Sequence, residues 1–190
     1  MKIGLFFGSF NPIHTGHLII SNHILNETKL DKIWFVVSPV NPFKINSDLL
    51  DETARLSLVN LAMQNDERIV ASNVEFQLPK PSFTINTLLF LRDAYPDHEF
   101  SIIMGSDNFH DLDKWKEYKK IISSYKLLIY LRNGFNVKND LNADIEVLDA
   151  PVLGISSTEI RELIKKGKSI RYLVPEIVRV EIEKKGYYNK

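Results

Sequence analysis

Short apolar runs alternate along this chain with longer stretches whose apolar residues recur at the spacing of a helix face. The runs are Lys2-Ile3-Gly4-Leu5-Phe6-Phe7, Ile33 to Val37, Arg68 to Ala71, Phe100 to Gly105 and Lys126 to Leu131, with a weaker sixth from Asp144 to Leu148. Between them, three stretches read as helices: Leu18 to Leu25, Glu52 to Gln64 (apolar at Leu56, Val59, Leu61 and Met63) and Phe83 to Ala94 (apolar at Ile85, Leu88, Leu89 and Leu91). The chain ends helical. Ser157 to Lys166 stops at Gly167, and a last helix begins with Pro175 at its first position and stops at Gly186. Asn133 to Asn142, Asn-rich with Gly134, reads as a surface loop. Runs that are apolar on both faces, separated by helical patterns, predict an α/β protein with a doubly wound, mostly parallel sheet of about five or six strands. The absence of any linker or composition shift predicts one domain over residues 1–190, with about 150–190 as its helical C-terminal segment.

Such sheets bind ligands beyond the carboxyl ends of their strands. Four polar junctions fall at such ends: the loop opened by Gly8, Ser38-Pro39, Gly105-Ser106-Asp107 and Arg132-Asn133. The first is the richest. Gly8-Ser9-Phe10-Asn11-Pro12-Ile13-His14-Thr15-Gly16-His17 joins the first strand to the first helix. Free N–H groups and the dipole at a helix start favour an anion there. Gly8 permits a sharp exit from the strand, Pro12 stiffens the loop, and Gly16 allows a ligand close to the backbone. His14 and His17 can donate to phosphate oxygens, more strongly if protonated. Taken singly, the histidines read as a core residue and a helix cap. No third metal ligand lies nearby in sequence, so no metal site is expected there. The G-x-G-x-x-G fingerprint of dinucleotide-binding folds is missing.

A second segment, Ile155-Ser156-Ser157-Thr158-Glu159-Ile160-Arg161, opens a late helix. Ser156 and Glu159 have capping-box spacing. Ser157 and Thr158 add hydroxyls, and Arg161 follows one turn on. Capping alone explains the first pair; with Arg161 the group makes a second anion cradle.

Composition narrows the choice. Lys+Arg and Asp+Glu are both 24, so the formal net charge is zero, which argues against a non-specific nucleic-acid binder. There is no cysteine, hence no disulfide, thiolate metal site or thiol nucleophile. The N-terminal strand has no basic leader or cleavage site, and no apolar run approaches ~18–20 residues, so a cytoplasmic, non-membrane protein is expected. Neutral charge leaves the oligomeric state open.

The two segments together resemble the signature pair of the nucleotidyltransferase superfamily that forms adenylylated products from ATP, with a Rossmann-like fold. Further blocks resemble its nicotinate mononucleotide adenylyltransferases: Ser38-Pro39-Val40-Asn41-Pro42-Phe43-Lys44, Arg55, Pro81-Ser82-Phe83-Thr84-Ile85-Asn86-Thr87-Leu88, and Met104-Gly105-Ser106-Asp107 followed by Trp115. The resemblance implies AMP transfer from ATP to nicotinate mononucleotide, in NAD biosynthesis, with Mg²⁺ accompanying ATP. It implies catalytic roles for His14, His17, Lys44 and Arg161. ATP contacts are implied for Gly8, Ser9, Phe10, Gly16, Gly105, Asp107, Ile155, Ser156, Thr158 and Arg161. Mononucleotide contacts are implied for Ser9, Phe10, Lys44, Thr84, Ile85, Trp115, Lys116 and Arg132, the tryptophan stacking on the ring and backbone N–H groups taking its carboxylate. Arg132 reads equally as a phosphate contact or a cap on the sheet edge. The chain departs from the family pattern at Phe43, where a histidine is usual, at Asn86 for aspartate, and at Lys116 for an aromatic residue.

Rival readings are a phosphopantetheine adenylyltransferase, which commonly lacks the first histidine, a nicotinamide-preferring enzyme, and a non-catalytic nucleotide sensor. A class I aminoacyl-tRNA synthetase would need a K-M-S-K-S segment that is missing. Gly167-Lys168-Ser169 suggests a P-loop, but the upstream glycine it needs would be residue 162, which is Glu162; it reads as a helix end.

Overall fold

The structure, a computed structural model, describes residues 1–40, 48–64 and 66–189. At its centre is a six-stranded sheet made of β1 (Lys2–Gly8), β2 (Lys32–Val37), β3 (Ile69–Ser72), β4 (Glu99–Gly105), β5 (Lys126–Tyr130) and β6 (Ile145–Leu148), in spatial order β3-β2-β1-β4-β5-β6. Every neighbouring pair is parallel. The helices are α1 (Thr15–Glu27), α2 (Glu52–Ala62), α3 (Thr84–Ala94), α4 (Ser106–His110), α5 (Tyr118–Ser124), α6 (Ser157–Lys165) and α7 (Glu176–Lys185), with 3₁₀ turns at Val74–Gln77 and Leu112–Lys114.

The period-two alternation of side chains divides the core into two layers. Phe6, Ile33, Phe35, Val37, Ile103 and Leu128 face one side, where they pack with Ile20 and Ile24 of α1, Leu58 and Val59 of α2, Ile160 of α6, and Val178 and Ile182 of α7. Ile3, Leu5, Val36, Ile102, Met104, Leu127 and Ile129 face the other, against Ile85, Leu88 and Leu91 of α3 and Ile121 of α5. The strands are apolar on both faces because both faces are covered. The C-terminal segment shares the first layer and is tied to the start of α1: Thr15 donates its N–H to the Leu173 carbonyl at 2.9 Å and its hydroxyl to that of Tyr172 at 3.1 Å.

The chain builds outward from β1 to β3, then crosses back to β4 and builds the other way. The crevice between β1 and β4 is therefore the switch point where such sheets bind ligands. Among the described residues, no helix is long and apolar enough to cross a membrane.

Boundaries differ from expectation where capping decides them. α1 starts at Thr15, before the apolar run, because His14 is its N-cap. Pro175 is not the first helical residue of α7; it stands just outside, with an extended ψ of 145°. Gly167 follows α6 with φ of +63°, so the Gly167-Lys168-Ser169 tripeptide is a helix end. The short helices α4 and α5 were not foreseen, since neither is long enough to show a helical period.

One buried side chain joins three of the segments that border the crevice. Arg55 of α2 is fully buried and donates to the carbonyls of Leu50 (2.7 Å), Ser9 (2.6 Å), Ser38 (2.8 Å) and Pro39 (3.0 Å). These belong to the exits of β1 and β2 and to the approach to α2. Burial draws its pKa down, but the guanidinium remains charged. Removing it strands several buried acceptors, each worth roughly 1–3 kcal/mol. Arg55→Met is therefore expected to lower unfolding free energy by at least about 3 kcal/mol in urea denaturation. A loss under about 1 kcal/mol would show that water satisfies those carbonyls instead.

Candidate active site

The loop from β1 to α1 turns at Phe10, not at the glycine. Phe10 adopts φ of +45°, unusual for a bulky residue, and its ring is buried against Phe6, Phe35 and His17. Gly8 has no such dihedral. A Cβ on Gly8 would lie 2.8 Å from the Phe10 ring, so the glycine makes room for that ring rather than for a sharp exit. Gly16 is similar. A Cβ there would stand 3.0 Å from His14 Nδ1 and 3.7 Å from the Ile155 Cβ, so the space expected for a ligand is filled by an imidazole.

His14 and His17 stack with ring centroids 3.7 Å apart and planes 25° apart. His17 Nδ1 accepts the His14 backbone N–H at 3.3 Å, so a neutral His17 carries its proton on Nε2. His14 is buried and its Nδ1 has no hydrogen-bond partner. Burial first, and the Arg132 charge second, lower the His14 pKa from 6.5 to about 4. Without ligand, His14 is thus a neutral imidazole at pH 7. The expectation of donation strengthened by protonation does not describe this state.

The second segment meets the first directly. Ser156 is the N-cap of α6, its hydroxyl accepting from the Glu159 N–H at 3.2 Å. Ser157, read from sequence as a ligand hydroxyl, donates instead to the Pro12 carbonyl at 2.8 Å. Arg161 is buried, donates from Nη1 to the Asn11 carbonyl at 2.8 Å and from Nη2 to Thr158 Oγ1 at 3.4 Å, and keeps its Nε without a partner. Asn11 in turn donates to the Asp48 carbonyl at 3.0 Å and accepts from the Leu50 N–H at 3.1 Å. Residues 150 positions apart in sequence are thereby held in one cluster.

Three hollows follow one another across the carboxyl ends of the strands. The central cleft, about 1050 Å³ including its open mouth, is lined by Gly8, Ser9, Phe10, His14, His17, Asp107, Arg132, Ser156, Thr158 and Arg161. On one side it shares His14, His17, Asp107, Tyr130, Arg132 and Ser156 with a hollow of about 870 Å³ that adds Gly16, Asn133, Phe135 and the Pro151 to Ile155 segment. On the other it shares Phe7, Gly8 and Asn108 with a hollow of about 600 Å³ lined by Ser38, Glu75, Ser82, Phe83, Thr84, Trp115 and Lys116. In the middle, Asp107 Oδ1 and Arg132 Nε face each other at 3.7 Å, both buried and neither hydrogen-bonded. Arg132 also donates from Nη2 to the Tyr130 hydroxyl at 3.2 Å and from its N–H to Ser106 Oγ at 2.9 Å. Gly105 is the N-cap of α4; a Cβ there would press on the Asp107 carboxyl and on Arg132.

The expected residues are therefore brought together with three exceptions. Ile85 is buried in the α3 core layer, so its side chain does not reach the hollow beside Thr84. Arg132 lines the cleft and the 870 Å³ hollow, on the opposite side from Trp115. Lys44 and Phe43 lie outside the described residues. Lys116 borders the Trp115 hollow with its Nζ 4.6 Å over the Phe83 ring. Sequence reasoning missed Glu75, Asn108 and Tyr130. Nothing in their local pattern marked them, because Glu75 lies in a 3₁₀ turn without periodicity and Asn108 in a helix of five residues. No group of three or more His, Cys, Asp or Glu suited to a metal occurs among the described residues.

Known proteins resemble this chain over most or all of its length. The protein-family model described as cytidylyltransferase-like matches residues 5–163. A Flavobacterium psychrophilum protein named probable nicotinate-nucleotide adenylyltransferase is 46% identical over 193 residues, covering 100% of both chains. One of the same name from Cytophaga hutchinsonii is 47% identical over 190 residues, covering 100% of this chain and 99% of its own. Among solved structures, Plasmodium falciparum nicotinic acid mononucleotide adenylyltransferase complexed with NaAD superposes with a TM-score of 0.85 at 22% identity, covering 99% of this chain and 97% of that one. At that identity the likeness speaks for the fold.

The buried neutral His14 makes stability pH-dependent. Its folded pKa lies below the 6.5 of the unfolded chain, so its contribution is fully present above 6.5 and is lost as pH falls toward about 4. In urea unfolding, His14→Gln should remove about 2 kcal/mol of the stability loss that wild type shows between roughly pH 7 and 5. Parallel pH curves for the two proteins would contradict the assignment.

Proposed function

The chain belongs to the cytidylyltransferase-like family, alongside its nicotinate-nucleotide adenylyltransferases, and from that premise we propose that it transfers AMP from ATP to nicotinate mononucleotide. The products are nicotinate adenine dinucleotide and pyrophosphate, a step of NAD biosynthesis. The observation that carries this reading is the cationic central cleft with a hollow on either side. A dinucleotide has that shape: a base and ribose at each end and phosphates between.

In the proposed reaction the mononucleotide's phosphate oxygen attacks the α-phosphorus of ATP in line. The bond to the β-phosphate oxygen breaks, and pyrophosphate leaves with the electron pair. A phosphate monoester is largely dianionic at neutral pH, its second pKa being ~6, so no general base is needed. The difficulty is to bring two anions together, and positioning plus charge neutralisation meet it. His17 is the donor assigned to the α-phosphate, where charge builds, with His14 between the two phosphates. Ser156, Thr158 and Arg161 are assigned to the leaving β and γ groups; the unpartnered Arg161 Nε and the start of α6 support this. Mg²⁺ enters as part of the ATP co-substrate, bound by phosphate oxygens.

Ile155, Gly16, Gly105 and Asp107 are assigned to adenosine, the unspent Asp107 oxygen suiting ribose hydroxyls. Arg132 stands beside Asp107 and is assigned to this side as well. Ser9 and Phe10 serve the central cleft. Thr84, Trp115 and Lys116 are assigned to the pyridine mononucleotide, with Ile85 offering only its backbone. Lys44 is assigned to the phosphates on the family pattern alone. The chain acts as one nucleotidyltransferase unit over 1–190, supported by the packing of α7 into the layer beneath β1. Such a biosynthetic enzyme belongs in the cytoplasm.

The test is pyrophosphate release from ATP with nicotinate mononucleotide, and in parallel with nicotinamide mononucleotide and phosphopantetheine. Turnover is expected with the first. His17→Ala should lose about 10²–10³ in kcat while unfolding at an unchanged temperature, as for loss of one oxyanion donor. Wild-type turnover in that variant rejects the role given to His17.

A further inference from the structure

The floor of the Trp115 hollow holds a buried acid that the reaction above does not use. Glu75, in the Val74–Gln77 turn, is 1% exposed. Its Oε1 accepts from the Thr87 hydroxyl of α3 at 2.8 Å. Its Oε2 is buried without any hydrogen bond, as is Ser82 Oγ in the same hollow. Burial pushes the carboxyl's pKa up, opposed in part by the Thr87, Ser38 and Ser82 side chains.

The same hollow has an anion-attracting element. α3 starts at Thr84, and its N-cap residue Phe83 offers no side-chain cap to the N–H groups of the first turn. A ring carboxylate taken there would sit in the same enclosed space as the Glu75 carboxyl. Two carboxylates so placed cannot both be ionised without strong repulsion.

We propose that Glu75 is a specificity-determining residue for the second substrate: its carboxyl, buried in the lining of the Trp115 hollow with one oxygen unpartnered, holds a proton when the bound ring carries a carboxylate. This deepens the function proposed above and rests on it. Nicotinate mononucleotide then binds with uptake of a proton. Nicotinamide mononucleotide, whose carboxamide is neutral and can donate to an ionised Glu75, binds without that proton. Falling pH thus favours the acid over the amide.

Among the described residues, the charges around Glu75 are few. From the segment before α5, Lys116 borders the hollow and is held over Phe83. From α2, Arg55 lies behind the Ser38 carbonyl. The neighbours from α3 and from the end of β2, Thr87 and Ser38, do not titrate in this range. His14, His17 and Asp107 line the central cleft, where the first two are assigned to the phosphates and Asp107 to adenosine; these parts are common to both reactions, so they cancel in the ratio of the two.

The experiment is steady-state kinetics of the full chain with each mononucleotide from about pH 6 to 9, together with proton uptake by calorimetry in buffers of different ionisation enthalpy. The wild-type ratio of kcat/KM, acid over amide, is expected to fall about tenfold across that range, and the acid should take up more protons than the amide. Glu75→Gln keeps an acceptor for Thr87 and a neutral donor for the hollow. It should flatten the ratio and abolish the difference in proton uptake between the two substrates. A Glu75→Gln profile that follows wild type, or equal proton uptake with both substrates, overturns the proposal while leaving the adenylyltransferase reading intact. Wild type that releases pyrophosphate with neither mononucleotide overturns both. Should the variant not fold, the wild-type calorimetry decides alone.

Discussion

Two buried guanidinium groups hold the crevice together, and both bond main-chain carbonyls rather than carboxylates. Arg55 gathers the exits of β1 and β2 and the approach to α2. Arg161 binds the β1 exit to α6. Neither has a carboxylate within ion-pair distance among the described residues. Asp48, which lies close enough to Arg161 to feel its charge, is paired with Lys165 at 2.7 Å. Carbonyl dipoles orient a guanidinium and satisfy its protons but do not cancel its charge. The geometry of the loops is thus fixed at the cost of leaving positive charge under the cleft. In the reaction proposed above, a chain of substrate phosphates supplies the missing anion. Folding and binding are then linked at Arg161, which both holds the loops and lines the cleft.

A neutral His14 fits the same economy of charge. A cationic imidazole beside Arg132, in a buried position, would add repulsion to a site that already holds uncompensated guanidinium groups. As a neutral ring, His14 instead packs on His17 and fills the space left by Gly16. The bound substrates, which bring several negative charges, alter this balance and favour the protonated form. On the proposed reading, His14 therefore takes its charge state from its ligand.

Much of this was legible in the sequence, for identifiable reasons. Six parallel strands could be read because strands covered on both faces are apolar at successive positions, and Ile33 to Val37 or Phe100 to Gly105 allow little else. The start of α6 could be read because Ser156 sits where a cap sits, whereas the apolar run alone put the start of the first helix at Leu18 rather than Thr15. What could not be read was which polar atom each residue spends on the fold. Ser157 looked available for a ligand but is bonded to Pro12. Gly8 and Gly16 looked like concessions to backbone or ligand but accommodate the Phe10 and His14 rings. Arg132, implied as a mononucleotide contact, lies on the other side, because its direction depends on Tyr130 and Ser106 and not on its neighbours in the loop. Spacing along the chain reveals elements; long-range contacts decide the use of each donor.

Glu75 shows the same limit in its sharpest form. In sequence it is one acidic residue among many, in a segment without helical or strand period. Only the packing of the Val74–Gln77 turn under α3 turns it into an acid enclosed beside an uncapped helix start. A surface carboxylate there would merely weaken the attraction of that helix end for anions. A buried one instead couples the site to a proton, because enclosure raises the energy of any second negative charge. The helix end draws a carboxylate in, and the acid beside it makes that attraction depend on its own protonation. Discrimination between an acid and its amide, which differ little in shape, then rests on charge within a closed space rather than on fit.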